Sequence, residues 1–252
     1  MNKILVIGDS CEDMFRYGTC DRLSPEAPVP VMKPTRTIGN GGMAINVMEN
    51  LKALGIKCDI VTNDIRPVKT RYVDEVSNQV LLRVDESDEI RQITREIVHN
   101  IDYAKYDAVV VSDYNKGFLD EEDIEYITYH STISFVDSKK EFGDWILKAD
   151  FIKINEKEYL GNRRWLLDNY DNTLVITTGK DGALLNHQEE TFPIENEHEV
   201  RDLSGAGDTF IAALVASYVK NDDICESIRF ANKCAAWVVS QKGVVTIDPE
   251  KI

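Results

Sequence analysis

Six short, mostly apolar runs recur along the chain, at residues 4–7, 58–61, 108–112, 133–136, 151–154 and 174–177. Runs of that length, rich in Val and Ile, are the sequence form of strands buried on both faces. The first closes on Gly8-Asp9, as a buried parallel strand does where it ends at a functional edge. Between several of them lie helix-length patterns at 43–54, 87–103, 120–130 and 156–169. Two more follow at 205–218 and 222–240, the last with apolar residues spaced i, i+4. Strand alternating with helix predicts an α/β fold, a doubly wound and mostly parallel sheet flanked by helices. A chain of 252 residues can bury such a core. No linker, repeat or low-complexity tract divides it, so residues 1–252 read as one domain.

Two stretches, about 14–37 and 69–85, depart from this pattern. Their strands have mixed faces: Phe15, Tyr17 and Thr19, then Val29 and Val31, later Tyr72, Val73, Val80, Leu82 and Val84. Pro25, Pro28, Pro30 and Pro34 interrupt the first stretch. Proline cannot donate to a ladder, which suits an edge or lid strand better than a central one. The expectation is a small β-sheet lid standing off the main sheet. The series Phe15, Tyr17, Val29, Val31, Tyr72 and Leu82 leaves that lid with an apolar outer face as well. Burial of apolar surface contributes roughly 25 cal/mol per Å², so the lid predicts a homodimer joined lid to lid about a two-fold axis.

Charge narrows the function. Lys plus Arg number 29 against 44 Asp plus Glu, a formal charge of −15. So acidic a surface repels phosphate backbones and anionic lipid, which argues against nucleic acid and membrane as partners. An anionic substrate therefore requires a local positive island. The five cysteines (Cys11, Cys20, Cys58, Cys225, Cys234) form no CxxC, and His99, His130, His187 and His198 lack metal-ligand spacing. A reducing cytoplasm is the natural reading of that cysteine usage. The N-terminal apolar run is too brief for a signal peptide, and the longest uncharged apolar stretch, 209–219, falls short of a bilayer span.

The most specific motif is Asp202-Leu203-Ser204-Gly205-Ala206-Gly207-Asp208-Thr209-Phe210, followed at once by an apolar helix. Small residues at 205–207 let backbone N–H groups point into a common space, and the helix that begins there adds its positive dipole end. Together they make a cradle for an oxyanion or phosphate. Asp208 sits beside the anion it would otherwise repel. A carboxylate belongs there if it must take a proton from an attacking hydroxyl.

That frame resembles the C-terminal signature of the ribokinase-like (PfkB) carbohydrate kinases, and Gly41-Gly42-Met43-Ala44-Ile45-Asn46 is similar to their N-terminal Gly-Gly-x-x-x-Asn. Within the family, the heptose-7-phosphate kinases are the branch most resembled. The stretches that carry this likeness are Gly8-Asp9 through Asp13, residues 22–31, Asn78-Gln79 with Leu82-Arg83, and Ser112-Asp113-Tyr114-Asn115-Lys116-Gly117. The likeness runs nearly the whole length with one interruption. Between residues 60 and 69 the chain is shorter than those kinases, by what corresponds to a helix and a strand.

The resemblance implies a ribokinase-like fold and roles for particular residues. Asp208 is the base, with the amides of Gly205, Ala206 and Gly207 as anion hole. Asp13 holds sugar hydroxyls with Asp9 nearby, and Gly41, Gly42 and Asn46 let the backbone and an amide approach the sugar. Arg83 and Lys116, with Lys69 and Arg71 beside them, meet a phosphate on the acceptor, and Asp113 goes with them as partner to a hydroxyl or a lysine. Asn155 and Glu158, at i and i+3, hold Mg²⁺ through water. Thr177, Gly179, Lys180 and Gly182 meet the phosphates and ribose of ATP, and Asn232 lies near its base. Cys11, Met43 and Trp145 read as core or wall.

The expected activity is ATP- and Mg²⁺-dependent phosphorylation of a sugar or sugar phosphate, with the anomeric hydroxyl of a heptose 7-phosphate as one acceptor and fructose, ribose or a nucleoside as others. The alternative is a non-catalytic sugar or nucleotide binder derived from such a kinase. A dinucleotide-dependent dehydrogenase is excluded because Gly8-Asp9-Ser10 supplies no G-x-G-x-x-G.

Overall fold

The first apolar run forms β1 (Lys3–Gly8), and its side chains divide by the two-residue repeat of a strand. Ile4 and Val6 enter one core layer, Leu5 and Ile7 the other. The computed structural model describes residues 2–86, 90–185, 190–195 and 199–252. His187, His198 and the start of the helix expected over 87–103 lie outside the described residues. Beyond β1 come β2 (Ser10–Leu23), β3 (Pro30–Met43), α1 (Ala44–Ala53), β4 (Lys57–Thr62), β5 (Val68–Asp74), β6 (Val80–Glu86) and α2 (Arg95–His99). The second half contains β7 (Ala108–Asp113), α3 (Glu121–His130), β8 (Ser134–Ser138), β9 (Phe151–Asn155), α4 (Glu156–Asn169) and β10 (Thr173–Thr177). The chain ends with β11 (Ala183–Leu185), β12 (Glu190–Phe192), α5 (Ala206–Asn221) and α6 (Ile224–Val239).

The main sheet has the order β12-β11-β10-β9-β8-β7-β1-β4. From β10 to β4 every pair is parallel, and β11 and β12 extend one edge as an antiparallel meander. On one face Val47 and Leu51 of α1, Leu214 of α5 and Ile228 of α6 join Ile4 and Val6. On the other, Ile124 and Ile127 of α3, Leu166 of α4 and the core residue Trp145 join Leu5 and Ile7. Parallel strands covered on both faces account for the apolar runs. At their carboxyl ends the residues turn polar: Asp113, Asp137, Asn155 and Thr177. Ligands of open α/β sheets bind in the crevice outside those ends. No helix among the described residues is long and apolar enough to cross a membrane.

One expected helix is largely missing. In place of a helix over 87–103 the described residues contain α2 and a single turn at Tyr103–Lys105. Ile90, Ile93 and Val98 are all buried in one layer, and the Ile93 N–H donates to the Phe118 carbonyl at 2.9 Å. Their i, i+3, i+8 spacing fits one helical face, which is why the sequence reads as a helix, but the Ile93 N–H is taken by Phe118 and residues 90–94 form no helix.

The lid has the strand order β3-β2-β5-β6, with proline-bearing β3 at an edge. β2 and β3 reach further than the sequence pattern indicates, to Ser10 and Met43, so the lid leaves β1 and enters α1 almost without interruption. Its facing corrects an expectation. Phe15 and Tyr17 are 2% and 3% exposed and pack with Val73 and Val244 against the body of the protein. Cys11, Asp13, Phe15 and Tyr17 share one side of β2 by the strand repeat, and that side is the inner one. The outer side carries Met14 and Arg16, with Tyr72 and Leu82 in register beside them.

At β4 the main sheet ends, and only residues 63–67 connect it to β5 of the lid. Buried Asn63 makes that short crossing feasible. Its Oδ1 accepts from the Ser10 N–H at 2.8 Å, and its Nδ2 donates to the carbonyls of Ser10 at 3.0 Å and Ile65 at 2.7 Å. Asn63→Ala leaves buried backbone groups of Ser10 unsatisfied and is expected to destabilise the protein by about 2 kcal/mol. Urea denaturation measures this as a lower midpoint with an unchanged slope.

Candidate active site

The start of α5 is shaped by the residues before it. Asp202 Oδ1 accepts from the Ser204 N–H at 2.8 Å, which bends the chain into Gly205. Gly205 adopts a left-handed conformation with φ of 79°, and a Cβ there would stand 2.7 Å from Asn46 Nδ2; both require glycine. Among the described residues the N–H groups of Gly205 and Gly207 meet no protein acceptor, whereas that of Ala206 returns to the Leu203 carbonyl at 3.3 Å. The open amides and the positive end of α5 favour an anion at this point.

Asp208, in the first turn of α5, is 3% exposed. Asn46 of α1 donates to its Oδ2 at 3.1 Å and the Tyr114 hydroxyl to its Oδ1 at 2.6 Å. Asn46 is itself oriented: its Oδ1 accepts from Asn50 Nδ2 at 3.0 Å, and Asn50 Oδ1 accepts from the Ile247 N–H at 2.9 Å. Burial raises the Asp208 carboxyl to about 6, and the bonds from Tyr114 and Asn46 offset part of that rise. The group is thus a base near neutral pH.

A cleft of about 710 Å³ opens beside the head of α5. Gly205, Ala206 and Gly207 line it, together with Asn155, Thr177, Gly179, Lys180, Gly182 and Asn232, so the residues expected to face a nucleotide are gathered in one place. Asn232 Nδ2 is committed to the Phe192 carbonyl at 2.7 Å. Its lining combines apolar Ile194, Val200, Leu203, Ala236 and Val239 with the charged side chains Asp137, Lys139 and Lys153. The charges alternate: Lys153 Nζ lies 2.6 Å from Asp137, Asp137 lies 2.6 Å from Lys139, and Lys139 lies 2.8 Å from Glu158. Burial alone would raise Asp137, but the ammonium groups of Lys139 and Lys153 outweigh it and hold the carboxyl at about 2. Glu158 and Asn155 form a capping box at the head of α4, each side chain accepting the other's backbone N–H at 2.9 Å.

The second group of expected residues lies under the lid. Asp13 is ion-paired with Arg71, and its carboxylate packs so closely on Gly42 that a Cβ there would collide with it. A Cβ on Gly41 would collide with Ile45. Lys69 stands opposite Asp13 in register, and Arg83 opposite Arg71. The buried Lys69 ammonium makes no side-chain hydrogen bond or ion pair within 4 Å among the described residues, though its charge acts on Asp85 and Cys11. The charges of Asp13, Lys69, Asp208 and Arg71 all reach the Cys11 thiol, which burial and Asp13 push up to about 12. The lid charges and Asp208 therefore surround one spot, with Cys11 as its wall. Met43 and Trp145 are buried core.

Three expected substrate residues are placed otherwise. Asp9 is fully buried and accepts the N–H groups of Tyr114 at 2.6 Å, Phe118 at 3.2 Å and Lys116 at 3.3 Å. Asp113, also buried, accepts from the Asn115 N–H at 2.9 Å and from the Ser138 hydroxyl. Both carboxylates are spent on holding the 113–118 loop, to which Lys116 belongs. Arg83 is exposed and makes a two-pronged pair with Asp85 at 2.7 and 2.8 Å. Conversely, sequence reasoning passed over Tyr114, Asp137, Lys139 and Lys153. A signal existed for Lys153, since a lysine within the buried run 151–154 needs a carboxylate partner. Tyr114 gave none: its role arises from the turn of its loop.

Asp208 also couples stability to pH. A carboxyl that binds its proton more tightly folded than unfolded stabilises the fold at low pH and loses that contribution as pH rises from 3.8 through about 6. Asp208→Asn carries no such cost. Its melting temperature is expected to exceed that of the wild type by a margin that opens across this window, the underlying difference in stability reaching about 3 kcal/mol at pH 7.5. Thermal scans of both proteins between pH 4 and 8 check this.

Comparison with known proteins agrees with this geometry. The ribokinase from Thermotoga maritima superposes with a TM-score of 0.74 at 17% identity, covering 99% of this chain and 98% of that one. Phosphofructokinase-2 from Escherichia coli superposes with a TM-score of 0.76 at 14% identity, covering 100% and 97%. The fold is thus ribokinase-like. In sequence, the chain is 31% identical to the bifunctional protein HldE of Nitratiruptor sp. over 300 aligned positions. That match takes in 99% of this chain and 64% of the relative, so the chain spans about two thirds of the curated relative's length. The model of the family described as pfkB family carbohydrate kinase matches residues 67–251, and the chain belongs to that family of carbohydrate kinases.

Proposed function

We propose that the chain transfers the terminal phosphoryl group of ATP to a hydroxyl of a sugar phosphate, in the cytoplasm. The observation that carries this reading is the position of Asp208, a buried base with an anion cradle and nucleotide-sized cleft on one side and the lid's Asp13, Lys69 and Arg71 on the other. A cleft lined by both apolar and cationic side chains fits a purine base and a polyphosphate. Asp208 takes the proton of the acceptor hydroxyl. The amides of Gly205 and Gly207 meet the charge that develops on the transferred group, and Lys139 and Lys153 neutralise the donor phosphates.

Among the described residues no cluster of three His, Cys, Asp or Glu could hold a metal by itself. At the head of α4, Glu158 and Asn155 would hold a Mg²⁺ ion through water. Such an ion supplies further charge neutralisation at the donor phosphates. The acceptor's hydroxyls fall to Asp13 and the backbone at Gly41 and Gly42. Its own phosphate falls to Lys69 and Arg71, with Arg83 alongside. The likeness to the heptose-7-phosphate kinases makes the anomeric hydroxyl of a heptose 7-phosphate the first acceptor to try.

ATP consumption against a panel of sugars and sugar phosphates, heptose 7-phosphates included, tests this. Asp208→Asn is expected to lose 10²- to 10⁴-fold in kcat, roughly, while keeping its affinity for ATP. Activity close to wild type would remove Asp208 as the base. Lys69→Gln is expected to raise KM for a phosphorylated acceptor by about tenfold or more, the scale of one charged hydrogen bond, with KM for ATP unchanged. Equal turnover of free and phosphorylated sugar would remove the phosphate subsite.

We infer a homodimer as well, through the outer face of the lid. Leu82 is 55% exposed beside Tyr72, and Val29 and Leu23 are exposed at the lid's far end. Light scattering is expected to give twice the chain mass at micromolar concentration, and Leu82→Asp to give a folded monomer. A wild-type monomer would refute the dimer.

A further inference from the structure

The loop from Asp113 to Phe118 is fixed more firmly than a connection between a strand and a helix requires. Asp9 accepts three of its N–H groups. Asn115 and Gly117 both adopt positive φ, 54° and 98°. The Asn115 conformation is held by its N–H bond to Asp113 and by Lys140, whose ammonium donates to Asn115 Oδ1 at 3.0 Å. A non-glycine residue at positive φ is tolerated where its surroundings over-determine it. What this loop delivers is the Tyr114 ring, with the Lys139 ammonium 5.6 Å from its centroid and its hydroxyl 2.6 Å from Asp208 Oδ1.

We propose that Tyr114 is a positioning residue for phosphoryl transfer: its hydroxyl fixes the Asp208 carboxylate toward the acceptor and keeps it ionised in a site closed to water. The proposal rests on the kinase reading for its chemistry and on the loop geometry for its substance. A carboxylate offers about four lone-pair sites. Asn46 and Tyr114 occupy one on each oxygen, which fixes the plane of the group and leaves capacity for the incoming hydroxyl. The other charged or titratable groups around Asp208 are Asp137 on β8, Lys153 on β9, Cys11 on β2 and, across Cys11, the lid's Asp13, Lys69 and Arg71. Asp137 opposes ionisation and Lys153 favours it. Burial and the neighbouring Asp208 charge keep the Tyr114 phenol protonated, so it acts as the donor.

Tyr114→Phe keeps the ring in its place and deletes only the hydroxyl. In this variant the acidic limb of kcat/KM is expected to move up by about one pH unit, a tenfold loss at a pH on that limb, with recovery at high pH. KM for ATP and the melting temperature at low pH are expected to stay as in the wild type. The ¹³C resonance of the Asp208 carboxyl, assigned against Asp208→Asn, reads the same effect without any acceptor and is expected to titrate at a higher pH in the variant. If Tyr114→Phe titrates as the wild type does, the proposal is overturned. If no sugar or sugar phosphate is turned over by the wild type, the kinase reading falls. The carboxyl titration then still decides between a hydroxyl that holds Asp208 ionised and one that does not.

Discussion

A carboxylate closed off from water costs several kcal/mol unless donors replace the water it has lost, and Asp208 is such a group. Much of the polar interior is arranged around that cost. On one side an amide chain runs from the Ile247 N–H through Asn50 to Asn46, so that a backbone group sets which end of Asn46 meets Asp208. On the other, Asp9 and Asp113 hold the loop that presents Tyr114. These supports are drawn from α1, from the ends of β1 and β7, and from the chain beyond α6. The geometry at the base is therefore a property of the whole sheet rather than of the glycine motif alone.

The sheet makes this arrangement possible because its parallel strands all point their carboxyl ends the same way. Five neighbouring strands, from β1 through β10, supply Asp9, Asp113, Asp137, Asn155 and Thr177 in spatial order. The lid is tied to the same edge. β2 leaves directly from β1, β3 runs directly into α1, and residues 63–67 join β4 to β5. With Asn63 bridging the backbone of Ser10, both lid strands that carry Asp13, Lys69 and Arg71 are anchored within a few residues of the core. The short connection at 63–67 runs from the edge strand β4 straight to β5, which carries Lys69 and Arg71.

The parallel strands were legible in the sequence because burial on both faces leaves a local signature, and the cradle was legible because positive φ and close approach restrict the residue types at 205–207. The lid's facing was not. Phe15 and Tyr17 alternate with polar residues whichever way the strand is turned, and only their contact with Val244, far away in sequence, decides it. Asp9 and Asp113 show the same limit at a finer scale. A carboxylate after a buried strand is suited to a sugar hydroxyl and equally to a row of loop amides. Which it meets depends on the turn at Asn115 and Gly117. The helix expected over 87–103 fails for the opposite reason: Ile90, Ile93 and Val98 are core residues at helical spacing, but the backbone at Ile93 pairs with distant Phe118 instead of with its own turn.

The chain's charge of −15 bears on how an anionic ligand could be accommodated. A bare ammonium buried at the strand ends would be driven toward neutrality by desolvation. Here two cations at the cleft are paired in advance, Lys153 with Asp137 and Lys139 with both Asp137 and Glu158. The pairing keeps the cations charged and in place, and the cost of burying them is met in the folded protein before any ligand arrives. A phosphate entering the cleft then exchanges one anionic neighbour for another, so selectivity for it comes from geometry at the α5 amides rather than from net charge. Lys69 differs, a buried cation without a close ion pair among the described residues, in a row with Asp13 and Asp85. Its position under the lid, on the side of Asp208 away from the paired lysines, is where an acceptor that brings its own negative charge has something to gain.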